Sequence, residues 1–509
     1  MDLLGDYSGN MRILFGLRSP DYWGRAFLLK AVVLGVLLAS GPKCAPGQTS
    51  PSAPSPAANP ARLPLTTRSP EAARLFDEGL HLRYDYHTEQ ALVKWREATI
   101  KDPDFAQAWA YIVWLGLDPG EVKQAAEKAQ LASRSVTPGE KLLVKWMVST
   151  NEGRFLDAIA AMNDLLAMYP HDSQLHYEAG LWLQSQGDYE GGARLTRRAL
   201  EIDPNFAGAL NTLAYDLALM HEYDQAILYL KRYVEAEPND PNPRDSLAEI
   251  LQQAGRLEES LAEYREALKL DPKFYTSQLG LGNDYALLGK QDRAREEYAK
   301  ALPMALTPQD RLDCQIQSAI TYAREDNVQQ ARVELRAVLA EATKLHLSAY
   351  RSSIHQYLAL LAESRAAAFQ HLDEAEAVLQ GPGMSGKGRS GLLAHTLRMR
   401  ARLAAEDGKL EMARAAVLRL QKMVLTNRSN AVERTYHGAN GALLAAESKT
   451  GAAIEELRED PAWPFSMAKL AELQAASGNA EDAAATRAGL KADYGTTLED
   501  WLVVRRFRQ

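Results

Sequence analysis

From about residue 70 to the C-terminus, apolar residues return at intervals of three and four, the spacing that places them on one face of an α-helix. The β-branched runs of four to eight residues that mark strands do not interrupt this pattern. In DSQLHYEAGLWLQSQGDYEGGARLTRRALEIDP, residues 172–204, two such stretches meet at Gly187, and Pro204 follows the second. The segment predicts two helices joined by a glycine turn, an antiparallel hairpin. Its recurrence predicts an all-α chain of about twelve hairpins between residues 70 and 494. Parallel-sheet folds, and the nucleotide-dependent enzymes built on them, are therefore not expected.

The hairpins keep a fixed period. Pro170, Pro204, Pro238 and Pro272 stand 34 residues apart, and Pro103, Pro138 and Pro308 extend the series with small slips. Gly153, Gly187, Gly255 and Gly289 keep the same interval, with His221 in the one vacant slot. With units starting at Ala72, Ser173, Ala207, Pro241 and Tyr275, the eighth position is Gly79, Gly180, Ala214, Ala248 and Gly282. The twentieth is Ala91, Gly192, Ala226, Ser260 and Ala294. Small residues at these places let two helices approach closely, while Trp95, Leu183, Leu217, Tyr264, Tyr285 and Tyr298 fill the grooves beside them.

This combination of period, small positions and closing proline resembles the tetratricopeptide repeat (TPR) family. The resemblance implies a right-handed α-solenoid superhelix, with repeats over residues 70–345 and degenerate helical hairpins over 346–494. Residues 495–509 are read as a C-terminal cap in which Trp501 covers apolar surface and Arg505, Arg506 and Arg508 face solvent.

The first seventy residues differ. Arg12, Arg18, Arg25 and Lys30 precede the apolar run Ala31–Gly41, the pattern of a secretory signal peptide over residues 1–47. The run is shorter than the roughly 20 residues that span a bilayer, so a stable transmembrane segment is not expected, although N-terminal anchoring stays open. Lys43 and Pro42 before Cys44 do not fit a lipidation signal. Residues 48–69 form a Pro/Ala/Ser-rich tract expected to be an extended spacer. An exported, periplasmic or envelope-associated protein follows from this reading.

Composition narrows the function. The formal charge is −8 over 509 residues, which disfavours a general nucleic-acid partner. Two cysteines exclude a disulfide scaffold. The GPGMSGKG segment, Gly381–Gly388, fits GxxxxGK but has glycine where a phosphate loop needs Ser or Thr, and no strand precedes it. No HExxH and no Cys/His cluster shows metal-ligand spacing, so neither metal nor cofactor is expected. Cys314 reads as a buried structural thiol, His171, His176 and His221 as solvated, and the Asn427–Ser429 sequon as a chance match. The chain is accordingly not expected to be an enzyme.

The resemblance implies a concave groove lined by the first helix of each unit. The corresponding positions here include Gln174, Tyr177, Gln184, Asn211, Tyr215, Asp245, Glu249, Gln252 and Asn283. This set is polar and aromatic with two acids and no base, and the basic residues that clamp a terminal carboxylate in some family members are absent. The expected partner is a neutral or basic extended segment of a protein or peptide, bound by a non-catalytic scaffold. Two other readings remain from sequence: a structural component of an envelope, secretion or polysaccharide-export assembly, and a sensory module like the repeat regions of some bacterial kinases and transcriptional regulators. An enzyme site hidden in the C-terminal half would need a strand-bearing insertion there.

Overall fold

A computed structural model describes residues 62–84, 88–116, 118–185, 188–381, 386–427 and 430–508. The expected signal peptide, Cys44, Gly187, the centre of the GPGMSGKG segment and Arg428–Ser429 lie outside the described residues. Within them the chain forms twenty-five α-helices and no strand. Two compact units divide them: residues 62–179 with 198–204, and residues 180–197 with 205–508.

The first unit contains α1 (Pro70–Tyr84), α2 (Thr88–Lys101), α3 (Ala106–Leu115), α4 (Pro119–Ala132), α5 (Pro138–Asn151) and α6 (Phe155–Met168). The boundary passes through α7 (Ser173–Ser185) and α8 (Tyr189–Ile202). The second unit continues with α9 (Ala207–Leu219), α10 (Tyr223–Ala236), α11 (Pro241–Gln253), α12 (Leu257–Leu270), α13 (Tyr275–Leu287) and α14 (Gln291–Ala301). Then follow α15 (Pro308–Arg324), α16 (Val328–Lys344), α17 (Ser348–Leu360), α18 (Arg365–Val378), α19 (Gly386–Glu406) and α20 (Leu410–Asn427). The last are α21 (Asn430–Ala446), α22 (Thr450–Arg458), α23 (Pro464–Ala476), α24 (Ala480–Lys491) and α25 (Leu498–Arg508). Within each unit helices pack mainly on their sequence neighbours, as α-solenoid hairpins do.

Local chemistry explains the boundaries. Thr137 and Thr307 each exchange hydrogen bonds with an acid three residues on, Glu140 and Asp310, and a proline stands at the first helical position of α5 and α15. Pro170, Pro204, Pro238 and Pro272 lie in the turns that follow second helices. Between paired helices the chain needs a left-handed residue: φ is 73° at Gly153, 77° at Gly255 and 76° at Gly289. His221 takes the same conformation at φ 59°, so the sequence slot without glycine keeps the same turn.

The small positions also act as expected. A side chain at Gly79 would collide with the Trp95 ring, and one at Gly282 with Tyr298. Both rings are buried, which places them in the core. In the first unit Phe76 lies 5.1 Å from Phe105 and 5.3 Å from Tyr111, ring centre to ring centre. Burial of each such side chain contributes roughly 1.5–3 kcal/mol.

Candidate binding site

In the second unit, the first helices of successive hairpins present most of the polar residues that sequence singled out, and they are joined to one another. Gln184 donates to Asp216 Oδ1 (2.7 Å), Tyr215 to Glu249 Oε2 (2.7 Å) and Gln252 to Asp284 Oδ1 (2.8 Å). The Ser277 hydroxyl donates to Asp245 (2.7 Å), and the Tyr298 hydroxyl to Asn283 Oδ1 (2.9 Å). Most of these links join residues 32 or 34 positions apart, so they tie one hairpin to the next. Gln184, Tyr215, Glu249 and Asn283 stay half-buried and reachable from solvent. Asn211, Asp245 and Gln252 are buried, the last two within the hydrogen bonds just given. Gln174 and Tyr177 belong to the first unit. Gln174 is half-buried, whereas Tyr177 is only 2% exposed because Tyr84 from α1 packs edge-on against it, 5.5 Å away. The neighbouring Glu178 holds Arg83 through two bonds of 2.9 and 3.1 Å, fixing that cover in place.

Two acids that sequence did not single out sit in the same array. Burial pushes the Asp216 carboxyl up to about 8 and that of Asp284 up to about 7, against the hydrogen bonds from Gln184 and Gln252 that favour ionisation. Asp216 is therefore largely protonated near neutral pH and Asp284 is close to half protonated there, so both can enter the ladder as hydrogen-bonding groups as well as charges. Their signal was present: Gln184 and Gln252 are two repeats apart, as are Asp216 and Asp284.

The first unit carries a different arrangement. Residues 62–69, expected to be spacer, run extended over the N-terminal ends of α3, α5 and α7 and are bound there. The Leu63 N–H donates to Asp172 (2.8 Å), the Thr66 N–H and hydroxyl to Glu140 (2.8 and 2.7 Å), and the Arg68 N–H to Asp102 (2.9 Å). Gln107 donates to the Pro64 carbonyl (2.6 Å) and also to Glu140 (3.0 Å). Burial raises Asp102 and Glu140, but hydrogen bonds from Thr67 and Arg68, and from Thr66, Gln107 and Thr137, outweigh it and hold both below the usual carboxylate range. His176, expected in solvent, is buried beside the Asp172 carbonyl (2.8 Å), and burial lowers its pKa.

The C-terminal helix also departs from expectation. It covers more than the last hairpin. Thr497 caps α25 by exchanging hydrogen bonds with Asp500 (3.1 Å each way), and Leu498, fully buried, joins the core formed by α15 and α17. Arg324 donates to the Thr496 carbonyl (3.2 Å) and lies 5.4 Å over the Trp501 ring. Arg505 pairs with Asp326 (2.6 Å), and Arg508 bonds the Lys491 and Asp493 carbonyls, so only Arg506 of the three remains exposed. His395 pairs with Glu499 (3.1 Å); although burial raises this carboxyl, His395 and Arg398 hold it at about 2. Cys314 is buried in the same region, and burial pushes its thiol up to about 12, which suits packing and not nucleophilic chemistry.

Among the described residues no helix is long and apolar enough to cross a membrane. Models described as tetratricopeptide repeat match residues 151–207 and 183–250, and one described as TPR repeat matches residues 248–289. A TPR repeat-containing protein of Pseudomonas aeruginosa is 28% identical over 160 residues, 31% of this chain and 27% of its own length. Human protein O-mannosyl-transferase TMTC1 is 26% identical over 189 residues, 36% of this chain and 21% of its own. The chain thus spans about a quarter of the length of these curated relatives. A solved TPR protein of Thermus thermophilus aligns with 36% of this chain and 98% of itself at 26% identity, with a TM-score of 0.30. The similarity to tetratricopeptide repeats thus falls on residues 151–289.

Proposed function

We propose that this protein is a non-catalytic scaffold that binds an extended protein or peptide segment through its repeats, and that it acts after export, in the periplasm or envelope. One observation carries the binding half: the repeats of the first unit already hold an extended stretch, residues 62–69, by accepting its backbone N–H groups on Asp102, Glu140 and Asp172. Main-chain recognition of this kind needs little sequence specificity and leaves selectivity to neighbouring side chains. On the second unit, Tyr215 and Glu249 form a half-buried aromatic and acidic pair, which suits a neutral or basic segment. The export half is supported by the basic flank and apolar run of residues 12–41.

The test is an array of extended ten-residue peptides of graded charge, probed with the full chain and with Tyr215→Ala/Glu249→Gln. Neutral and basic peptides should bind the wild type and lose affinity for the variant. Equal binding of acidic peptides, or no change in the variant, would sink the groove reading. For export, fractionation should find the chain outside the cytoplasm with its first residues removed; an intact N-terminus in cytoplasm would overturn it.

A further inference from the structure

In the second unit, the α17–α18 hairpin brings together three side chains that the sequence keeps apart. His355 stands on α17, while His371 and Glu374 stand one turn apart on α18. His355 Nδ1 lies 3.3 Å from His371 Nδ1 and 3.1 Å from Glu374 Oε2, and His371 Nδ1 lies 3.2 Å from that same oxygen. Among the described residues this is the one such trio of His, Cys, Asp or Glu able to reach a common ion.

The triangle is nearly equilateral. Three atoms so spaced share a point about 2 Å from each, just off their plane, and this is the length of a zinc–nitrogen or zinc–oxygen bond. Two imidazole nitrogens and a carboxylate oxygen converge here, and such a cluster is held together either by ring protons shared as hydrogen bonds or by a cation among them. His355 is buried, so the hairpin core fixes its ring in this position. An open cavity of about 560 Å³, lined by His346, Ser348, Arg351, His355 and Glu374 among others, adjoins the trio. It leaves room for water on the remaining coordination positions.

We propose that His355, His371 and Glu374 bind one divalent transition-metal ion of the zinc type, with its other positions open to the cavity. The donor set selects the ion: imidazole with a single carboxylate suits zinc, cobalt or nickel, whereas magnesium and calcium prefer oxygen ligands. Arg351, on the wall of the same cavity, opposes a bare dication, so a fourth ligand carrying negative charge is favoured there. The site does not depend on the peptide-binding reading.

The experiment uses the full chain, free of any histidine tag, titrated calorimetrically with zinc and separately with magnesium. One zinc per chain should bind, with no comparable magnesium binding. His371→Ala and Glu374→Ala, both at partly exposed positions, should weaken zinc binding by more than about tenfold. His371→Gln, closer in size, keeps the test valid if alanine disturbs folding, with circular dichroism checking the helix content. Cobalt-loaded wild type should show visible absorption bands that His371→Gln lacks. Wild type that binds no more zinc than His371→Gln, or the same cobalt spectrum in both, would overturn the site in favour of a proton-sharing triad.

Discussion

Both ends of the described chain lie on its repeats, and they are held by different physics. The N-terminal strap, residues 62–69, is extended and attached through its backbone N–H groups to Asp102, Glu140 and Asp172. The C-terminal helix α25 satisfies its own backbone and is attached through side chains: Leu498 in the α15–α17 core, Trp501 beneath Arg324, and Glu499 on His395. An extended segment leaves its backbone groups unpaired, so its host must supply acceptors. A helix asks its host only for an apolar surface and a few charges. The hairpins of this chain provide both kinds of docking, each in its own unit.

The largest effect is expected at the helix. Leu498→Ala removes a fully buried side chain from among Leu312, Ile316 and Leu358 and should cost about 2–5 kcal/mol in urea unfolding. Hydrogen exchange should rise in α15 and α25, while the amides of Leu63, Thr66 and Arg68 keep their protection. Unchanged exchange in α15 would mean that α25 is not part of that core.

The strap should respond to charge instead. Glu140→Ala leaves the Thr66 N–H without an acceptor, takes one of two acceptors from the Gln107 amide and removes the side-chain half of the Thr137 capping box, at about 1–3 kcal/mol. Acid should act in the same direction. Asp102 and Glu140 have folded pKa values held below their unfolded ones, so their contribution is present above about pH 4 and is lost as pH falls through the folded values. Asp216 and Asp284 have the opposite sign: folding raises them to about 8 and about 7, so stability declines as pH rises from about 4 through those values and levels off beyond. Corrected for the intrinsic pH dependence of exchange, protection of the strap amides should therefore fall on acidification, and that of α9 and α13 on the alkaline side. Strap amides indifferent to both Glu140→Ala and acid would show that carboxylates do not hold it.

The contrast also explains what sequence revealed. Proline and glycine spacing located the hairpins, because a turn needs a left-handed residue and a break in helix hydrogen bonding wherever it occurs. The same spacing put Tyr215, Glu249 and Asn283 on first helices, where they stay half-buried. It did not reveal that Tyr177 is covered, since the cover comes from Tyr84, far away in sequence. The strap escaped notice because backbone N–H groups attach it, and every non-proline residue has one. His355 and His371 escaped because their meeting depends on the crossing of α17 and α18, and motif spacing records only neighbours along one helix.

The smallest effect lies in the α9–α10 turn and supplies a baseline for the other two. His221 holds φ 59°, a conformation that costs an L-residue with a side chain roughly 1–2 kcal/mol. Glycine removes that strain but adds about 0.5–1 kcal/mol of unfolded-chain entropy, so His221→Gly should gain only about 0.5 kcal/mol. The exposed contact of His221 Nδ1 with the Tyr223 hydroxyl, at 3.2 Å, contributes little against water. His221→Ala keeps the strained backbone and discards the ring, so it should fall below wild type. The order Gly, His, Ala in urea midpoint tests the turn directly; glycine below histidine would mean that the ring's contacts with Tyr223 outweigh the left-handed strain. Because the substitution alters a turn and neither docked segment, exchange in the strap and in α25 should stay as in wild type, which separates a change in repeat stability from release of either end.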